Sequence, residues 1–288
     1  MKITRAKIAY AAKLMLPPIA ADALRALLDY VRPAAMEYLP SGWPEASRGW
    51  NVASIAKFHE QRWPDYLDSI KAISPLGIAP SVMRKSTRRV DVWDIINHNN
   101  LVSFAYVLAL ASRRHERLSM LDWGGGIGHY CALSRVLVPD LILDYHCQDL
   151  PVFCEIGRKN LPQATFFDVP DACFQREYDL VFAGSSLWYA RDWKALLRKL
   201  ATSSRGYLFV TRMLFINKNV SFAAIQRPGA HAYDTEYPMW ILNRQEFLAE
   251  AEANGMRPMR EFLIGHGPRI HNAPEQGAFR GFLFRKNN

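Results

Sequence analysis

A glycine-rich turn between a predicted strand and a predicted helix constrains this chain more than any other feature. Residues 118–130 have the sequence LSMLDWGGGIGHY, in which an apolar strand ends at Asp122 and a helix begins near His129. Glycine lets a backbone turn tightly and approach a ligand where any Cβ atom would collide. The glycines of this turn are Gly124, Gly125, Gly126 and Gly128. The segment therefore predicts an α/β fold with a binding site where the strand passes into the helix.

Strand and helix patterns alternate along the rest of the chain. Short apolar runs occur at 119–122, 145–148, 165–167, 180–183 and 207–211. Helical periodicity separates them at 129–138, 152–160 and 193–201. A later helix and two further strands are predicted at 245–254, 260–264 and 279–284. This alternation predicts a Rossmann-like α/β fold, with a parallel sheet covered by helices on both faces.

The first 118 residues lack this alternation and contain mainly helical patterns, at 52–73 and 92–112. We expect residues 1–118 to form a helical N-terminal cap that takes part in acceptor binding, and residues 119–288 to form the sheet domain. The stretch 213–243 is long, polar and aromatic, and a connection of this length inside a compact domain is usually functional. We expect it to cover the substrate.

The N-terminus has the pattern of a basic amphipathic helix. Apolar residues recur at three- and four-residue steps, with basic residues between them, at Ile3, Ala6, Tyr10 and Leu14. Such a helix could lie on an anionic membrane surface, and packing against the protein's own core would explain the same pattern. Because Lys13 interrupts the apolar stretch, we do not expect a secretory signal.

Composition limits the class of protein. Half of the 288 residues are hydrophobic and 22% are charged, which excludes wholesale disorder. No uncharged run approaches the ~20 apolar residues that span a bilayer. The four cysteines show neither CxxC spacing nor a dense secreted framework, and nothing in the sequence indicates a metal cluster. We predict a reduced, cytoplasmic protein, which contacts the inner membrane face only if the N-terminal helix lies on it.

The net charge of +9 is unevenly distributed, and most of the excess lies in residues 1–118. It includes a tight basic cluster formed by Arg84, Lys85, Arg88 and Arg89. Such a cluster attracts phosphates, acidic sugars, anionic lipids or nucleic acid. A solvated basic face that aids solubility has the same composition, so both interpretations stay open.

Two classes of ligand compete for the glycine-rich turn. A dinucleotide fold requires the spacing GxGxxG, whose third glycine lets the helix pack closely on the strand. In the two registers of this turn the third position holds His129 or Cys131, so neither register fits. Asp122 stands two residues before the first glycine, where it would repel a phosphate. A carboxylate there suits a cation, and the ammonium and sulfonium groups of S-adenosylmethionine (SAM) meet that requirement.

Acidic residues also end the next two predicted strands. Asp149 follows the second strand, where it could accept hydrogen bonds from both hydroxyls of a ribose. Asp168 ends the third strand, where it could accept from an adenine amino group while Val169 packs on the ring. A lone aspartate after a strand is more often a turn or helix cap. Three acids at successive strand ends nevertheless favour a nucleoside site.

With these motifs, residues 119–212 resemble the class I SAM-dependent methyltransferases. Asp149-Leu150-Pro151 resembles the ribose-binding strand end of many small-molecule O-methyltransferases. Over most of 40–286, the chain is similar to a family of bacterial methyltransferases associated with surface-polysaccharide biosynthesis. The segments that carry this likeness are 43–46, Gly49-Trp50, 122–130, 185–189, Thr211-Arg212, Gln226 and Tyr237-Pro238.

The resemblance implies a methyltransferase sheet that is mostly parallel with an antiparallel last strand. It also implies SAM as methyl donor and S-adenosylhomocysteine as product. The predicted cofactor contacts lie in the glycine turn and at the strand ends. They are Asp122, Gly124, Gly125, Gly126, Gly128, Asp149, Leu150, Asp168, Val169 and Ser185.

We expect the acceptor beyond the ends of the fourth and fifth strands, because ligands bind at the carboxyl edge of parallel sheets. Trp188 and Tyr189 could shape the methyl-transfer site, although Trp188 could equally pack under the cap. Arg212 ends the fifth strand, and its guanidinium could hold an acceptor carboxylate or phosphate bidentately. The alternative for Arg212 is a structural ion pair.

Methyl transfer to a hydroxyl requires a base, because the oxonium product is strongly acidic. Histidine is the commonest base near neutral pH. We predict His231 as the base and Asp234, three residues further on, as its orienting partner. A lone loop histidine is more often structural, so this alternative stays open. His129, directly after the glycine turn, is a further candidate for contact with the cofactor.

The predicted function is SAM-dependent O-methylation of a sugar or a related polar small molecule by direct in-line transfer. The acceptor could be a glycan, and the basic cap would favour an anionic one. A nucleic-acid methyltransferase is disfavoured, because neither an Asn-Pro-Pro-Tyr-like motif nor an appended RNA-binding module is present. A scaffold that binds SAM without catalysis is the other alternative. The sequence makes no prediction of the oligomeric state.

Overall fold

The computed structural model describes residues 34–45, 49–78, 90–113, 115–227 and 235–287. The chain divides into two compact units, Met1–Ala35 and Met36–Asn288, and nearly all described residues belong to the second. Some predictions fall on other parts of the chain. The N-terminal amphipathic helix, the basic cluster at 84–89, His231 and Asp234 lie outside the described residues.

Ten strands of the described residues form one sheet. They are β1 (Met36–Tyr38), β2 (Arg117–Trp123), β3 (Ile142–Gln148), β4 (Thr165–Phe167), β5 (Tyr178–Gly184), β6 (Ser204–Ile216), β7 (Phe222–Gln226), β8 (Tyr237–Asn243), β9 (Met256–His266) and β10 (Ala278–Lys286). Their order across the sheet is β1-β7-β8-β6-β5-β2-β3-β4, and β10 lies between β6 and β9.

The strands from β2 to β6 run parallel to their neighbours, whereas β10 runs antiparallel to both β6 and β9. Every strand predicted after residue 118 overlaps an observed strand. The expected Rossmann-like α/β sheet, mostly parallel with an antiparallel last strand, is therefore confirmed. The carboxyl ends of β2 to β6 consequently meet at one edge of the sheet.

Three strands were not anticipated from the sequence. β7 pairs antiparallel with β1 and with β8, and the end of β6 pairs with β8. Much of the stretch 213–243, expected to be a polar connection, is therefore strand. Its apolar runs are short, and they form strands because β6 extends past its neighbours and offers β8 an edge to pair with.

Helices cover both faces of the sheet. They are α1 (Ala53–Lys71), α2 (Val92–Ser112), α3 (His129–Leu137), α4 (Pro151–Asn160), α5 (Trp193–Thr202) and α6 (Arg244–Ala253). Alternate residues of β5 belong to different cores, since Leu180 packs with α1 to α4 and Val181 packs with α5 and α6. α2 begins with a capping box in which Asp91 and Asp94 each bind the other's backbone N–H.

The described part of residues 1–118 gives no support to a separate helical cap. Ile55 of α1 and Phe104 of α2 are fully buried in the same core as Leu133 of α3. Both helices are thus part of the layer that covers one face of the sheet. The division at residue 118 remains a prediction. None of the described helices is both long enough and apolar enough to cross a membrane.

Candidate functional site

The glycine-rich turn lies at the carboxyl edge of the sheet, between β2 and α3. Three of its residues have left-handed backbone, with φ of 71° at Gly124, 61° at Gly126 and 90° at Gly128. The neighbouring strand end holds the turn in place. The N–H of Gly124 donates to the carbonyl of Gln148 (2.8 Å), and the N–H of Gly126 donates to a carboxylate oxygen of Asp149 (2.7 Å). The predicted turn is therefore present, with acidic side chains directly against it.

Asp122 lies immediately beneath this turn. A Cβ atom on Gly125 would be 2.5 Å from the carboxyl carbon of Asp122 and 2.8 Å from the sulfur of Cys147. Only glycine allows the backbone to pass this close to the carboxyl group. The turn and the carboxylate thus form a single cradle, which a side chain at position 125 would fill.

The carboxyl group of Asp122 is almost completely removed from solvent, with 1% of the residue exposed. The hydroxyl of Tyr145 donates to its Oδ2, and no described residue donates to its Oδ1. Burial raises the pKa of Asp122 to about 7, against the lowering effect of the Tyr145 hydrogen bond and with a further contribution from Asp149. A buried carboxylate with one oxygen that accepts no hydrogen bond favours a bound cation, because an isolated buried charge is costly.

Asp149 follows β3 and is tied to the turn through both carboxylate oxygens. Oδ2 accepts from the N–H of Gly126 and Oδ1 from the N–H of Leu150, each at 2.7 Å. Burial raises the pKa of Asp149 to about 6, although these two backbone hydrogen bonds lower it. A carboxylate has about four lone-pair positions, so both oxygens can accept further hydrogen bonds from ligand hydroxyls.

Asp168 follows β4, one strand further along the edge. Its carboxylate forms an ion pair with Arg158 at 3.0 Å, and the side chains are 40% and 47% exposed. Val169 is 59% exposed, as expected of a residue that could pack on a ligand. Asp122 and Asp149 therefore lie together against the glycine turn, whereas Asp168 is paired with Arg158. Among the described residues, these acids form no group of three with histidine or cysteine that could hold a metal ion.

Two residues with strained backbone mark the other half of the edge. Ser185, directly after β5, has φ of 57°, and Arg212 within β6 has φ of 56°. The hydroxyl of Ser185 donates to the carbonyl of Arg212 (3.1 Å). The next residue, Ser186, donates to the carbonyl of Trp123 (2.7 Å), which links this half to the glycine turn. Left-handed non-glycine residues cost about 1–3 kcal/mol each and cluster at functional sites.

The guanidinium of Arg212 is half-buried and makes no hydrogen bond or ion pair with a described residue. The structural ion pair considered from the sequence therefore has no partner in the described part of the chain. Burial raises the pKa of Tyr130 to about 12, and the charge of Arg212 opposes this increase, which puts the two groups near each other. An arginine in this position is available to an anionic ligand.

An aromatic cluster adjoins Ser185 and is named here the Tyr189 cluster. The hydroxyl of Tyr189 donates to Oε1 of Gln226 (3.0 Å). Its ring lies 5.1 Å from Trp50 and 5.2 Å from Tyr237, which are themselves stacked at 4.2 Å. Segments that are far apart in sequence thus meet on one side of the strand ends. Trp188 is buried and donates to the carbonyl of Ser185.

Three hydrogen-bonded polar side chains lie beneath the site and were not predicted from the sequence. Nδ2 of Asn100, on α2, donates to the hydroxyl of Tyr130 (2.7 Å). The hydroxyl of Thr211 donates to Oδ1 of Asn100 (3.1 Å). The signal in the sequence was weak, because Asn100 is one of three asparagines in the first half of α2. We name these three residues the Asn100 relay.

His129 lies between the glycine turn and α1. Its ring packs against three rings of α1, those of His59, Trp63 and Tyr66, and its carbonyl accepts from the Tyr66 hydroxyl (2.7 Å). Burial, followed by the charge of His59, lowers the pKa of His129 to about 3. The ring is therefore neutral and packs between α1 and α3. A Cβ atom on Gly126 would lie 3.8 Å from its Nδ1, so the ring also borders the glycine turn, and the cofactor contact stays a prediction.

No protein-family model matches the sequence, and no curated protein matches it. Solved structures do resemble the fold. A candidate sarcosine dimethylglycine methyltransferase from Galdieria sulphuraria is 15% identical with a TM-score of 0.51, covering 82% of this chain and 98% of its own. This likeness shows a methyltransferase-like α/β fold.

Two further structures align with lower scores. The magnesium protoporphyrin IX methyltransferase of Synechocystis PCC 6803, solved with bound SAM, is 13% identical with a TM-score of 0.47, covering 83% of this chain and 100% of its own. The 1,6-didemethyltoxoflavin-N1-methyltransferase of Burkholderia thailandensis is 12% identical with a TM-score of 0.45, covering 88% of this chain and 100% of its own.

Proposed function

We propose that this protein binds SAM at the glycine turn and transfers its methyl group to an oxygen of a sugar or a related small polar acceptor. The observation that carries the proposal is the buried carboxylate of Asp122, whose Oδ1 has no hydrogen-bond partner among the described residues and which lies beneath a turn that approaches it without a Cβ atom. A pyrophosphate would be repelled there, whereas a cation satisfies the carboxylate. The methyltransferase-like α/β fold supports the same class of ligand.

Each acid of the edge has a distinct proposed task. Asp122 binds the ammonium group of SAM, and Asp149 accepts from the ribose hydroxyls. Asp168 accepts from the adenine amino group, while Leu150 and Val169 provide the apolar walls of the adenine site. When bound, SAM supplies a methyl group activated by a cationic sulfur. The chain's own residues hold this nucleoside and exclude water around it.

The acceptor half of the site comprises Arg212 and the Tyr189 cluster, whereas Ser185 is a proposed cofactor contact. Tyr189 orients the acceptor through its ring and its hydrogen bond with Gln226. His231 is the proposed base, oriented by Asp234. The imidazole of His231 would accept the hydroxyl proton as the acceptor oxygen forms its bond to the methyl carbon and the bond from that carbon to sulfur breaks, with S-adenosylhomocysteine as the leaving group. The resemblance of residues 185–189, Gln226 and Tyr237 to polysaccharide-associated methyltransferases supports a sugar as acceptor.

Calorimetry of the purified full-length protein tests the cofactor assignment. We expect SAM and S-adenosylhomocysteine to bind and NAD not to bind. D149A should lose at least about tenfold in SAM affinity, since two charge-assisted hydrogen bonds disappear. D144A is the matched control, because Asp144 lies on β3, the strand that Asp149 follows, but pairs with Arg176 and His146. Binding of NAD, or a folded protein that does not bind SAM, would contradict the proposal.

Single-turnover assays with labelled SAM and a panel of sugars and acidic sugars then test transfer. Release of S-adenosylhomocysteine in step with methylated acceptor supports catalysis, whereas SAM binding with no transfer to any acceptor supports a scaffold. H231Q should bind SAM normally and lose transfer, while H266Q, changed at an exposed histidine of β9, should retain it. Equal transfer rates in the two variants would remove His231 from the mechanism.

A further inference from the structure

A β-bulge lies at Arg212, beside the strand end that leads into Ser185. β6 and β10 pair Met213 with Arg280 and Val210 with Phe282, so Thr211 and Arg212 together face Gly281 alone. Two residues opposite one is the definition of a bulge, and bulges re-aim side chains beside active sites. The left-handed φ of 56° at Arg212 belongs to this irregularity. The backbone conformation at Arg212 is thus a feature of the strand pairing.

The bulge is held from three sides. On β5, Ser185 donates its N–H to the carbonyl of Thr211 (2.9 Å) and its hydroxyl to the carbonyl of Arg212 (3.1 Å). On α2, Asn100 accepts from the Thr211 hydroxyl as part of the Asn100 relay. On β10, a Cβ atom at Gly281 would lie only 2.6 Å from that hydroxyl oxygen. These contacts stabilise a backbone conformation that is otherwise unfavourable.

Arg212, at this strained backbone position, has a half-buried guanidinium with no ion-pair partner in the described part of the chain. Gly184 of β5 pairs with Thr211, so Arg212 stands beside the strand end that leads into Ser185 and the Tyr189 cluster. A guanidinium offers five N–H donors in a planar fork that matches carboxylate and phosphate oxygens. Partial burial strengthens such a contact because water screens it less.

We propose that Arg212 is the anion anchor of the acceptor, and that the acceptor is a hydroxylated small molecule with a carboxylate or phosphate group, such as an acidic or phosphorylated sugar. This inference rests on the proposed function and specifies its substrate class. Arg212 binds the anionic group, and the Tyr189 cluster lies beside the rest of the molecule. The anchor determines which hydroxyl faces the methyl donor, so it sets specificity as well as affinity.

Calorimetry on the full-length protein saturated with S-adenosylhomocysteine tests this anchor. The probes are glucuronate, glucose 1-phosphate and the neutral methyl glucoside. We expect at least one anionic probe to bind at least about tenfold more tightly than the neutral one. Binding of glucuronate alone indicates a carboxylate acceptor, and binding of glucose 1-phosphate alone indicates a phosphate acceptor. Equal affinity for all three probes, or no binding of either anion, would overturn the proposal.

Variants of Arg212 separate the anchor from general electrostatics. R212Q should lose at least about tenfold in affinity for the anionic probe, and R212K should lose less, because an ammonium keeps the charge without the fork. R198Q, which changes an exposed arginine of α5, is the control and should bind normally. Anion binding unchanged in both R212Q and R212K would refute the anchor.

Binding of S-adenosylhomocysteine distinguishes a failure of the anchor from a failure of the proposed function. All variants should retain it, which also shows that they are folded. If the wild-type protein does not bind S-adenosylhomocysteine, the proposed function fails. If it binds S-adenosylhomocysteine but no anionic probe, only the anchor fails.

Discussion

Asp122 and Arg212 are two charged residues placed in opposite halves of the same edge. Asp122 is buried, and Arg212 is half-buried without an ionic partner among the described residues. The charged form of each side chain is unfavourable until a group of opposite charge binds, since removal of a charge from water is costly. On the proposed function, the two residues bind a cationic group and an anionic group of the ligands at separate positions.

The raised pKa of Asp122 predicts a pH-dependent affinity for SAM. The acid must lose its proton to bind an ammonium, and burial holds its pKa at about 7. SAM affinity should therefore rise by up to about tenfold per pH unit between about pH 5.5 and about pH 7. Calorimetry over this range gives the slope. In D122N the affinity should be weak and the slope should fall to the part contributed by Asp149, whose pKa is about 6.

Asp122 also affects the stability of the ligand-free protein. As the pH rises, its contribution to folding stability falls, whereas its affinity for SAM rises. Because the pKa of Asp122 is higher in the folded than in the unfolded state, this residue stabilises the fold less as the pH rises from about 4 to about 7. The free energy of unfolding of D122N, relative to that of the wild-type protein, should consequently increase as the pH rises over this range. A constant difference in unfolding free energy would contradict the assigned pKa.

At the scale of elements, two local irregularities shape the site. The glycine turn brings its backbone close to the carboxyl group of Asp122, and a bulge in β6 lies at Arg212. The turn follows from a local run of glycines that can be recognised in the sequence. The bulge depends on the pairing of β6 with β10, whose residues lie far away in the chain, so no local pattern indicates it.

The glycine turn allows a matched test of packing against backbone strain. Gly124 and Gly42 have similar left-handed φ values of 71° and 78°. A Cβ on Gly124 would lie 2.4 Å from Cβ of Ser186, whereas a Cβ on Gly42 would have nothing within 4 Å. Gly42→Ala should cost about 1–2 kcal/mol from strain alone. Gly124→Ala should cost about 1–3 kcal/mol more, because the backbone of the turn must move.

Denaturant unfolding of the two variants measures this difference. Gly124→Ala should also weaken SAM binding, whereas Gly42→Ala should leave it unchanged. Equal losses of stability would mean that the turn tolerates a side chain and that its contact with Ser186 is not constraining.

At the scale of the whole molecule, α2 joins the two halves of the site. Its residue Asn100 bonds to Tyr130, which is on the helix after the glycine turn, and to Thr211 in the bulge. α2 comes from the part of the chain that was expected to form a separate cap. It acts instead as a part of the core, because its apolar sequence is stable only against the sheet.

Removal of the Asn100 relay should destabilise the protein more than removal of a neighbouring hydrogen bond. N100A leaves the buried hydroxyls of Tyr130 and Thr211 without this partner, which should cost about 2–4 kcal/mol for two groups. N99A is the control, because Asn99 donates only to the carbonyl of Ile264 from a half-buried position. Its cost should be about 1 kcal/mol. Denaturant unfolding checks both values, and equal losses would refute the relay.

The cofactor half of the site was largely predictable from the sequence. The strand ends at Asp122, Asp149 and Asp168 and the glycine turn are local patterns, and the parallel sheet brings them to one edge. The Tyr189 cluster was only partly predictable. Its segments were singled out by resemblance, but nothing local shows that Trp50, Gln226 and Tyr237 surround one tyrosine.

Local patterns thus determined the alternation of β2 to β6 with their helices, the position of the turn and the acids that follow the strands, because hydrophobic periodicity and glycine act over a few residues. They did not indicate β1, β7 or β8. Only the tertiary structure decided that β6 bulges at Arg212, that Asn100 connects α2 with both halves, and that α1 and α2 cover the sheet. Those features depend on strand register and on the packing of segments distant in sequence, which no short stretch of residues encodes.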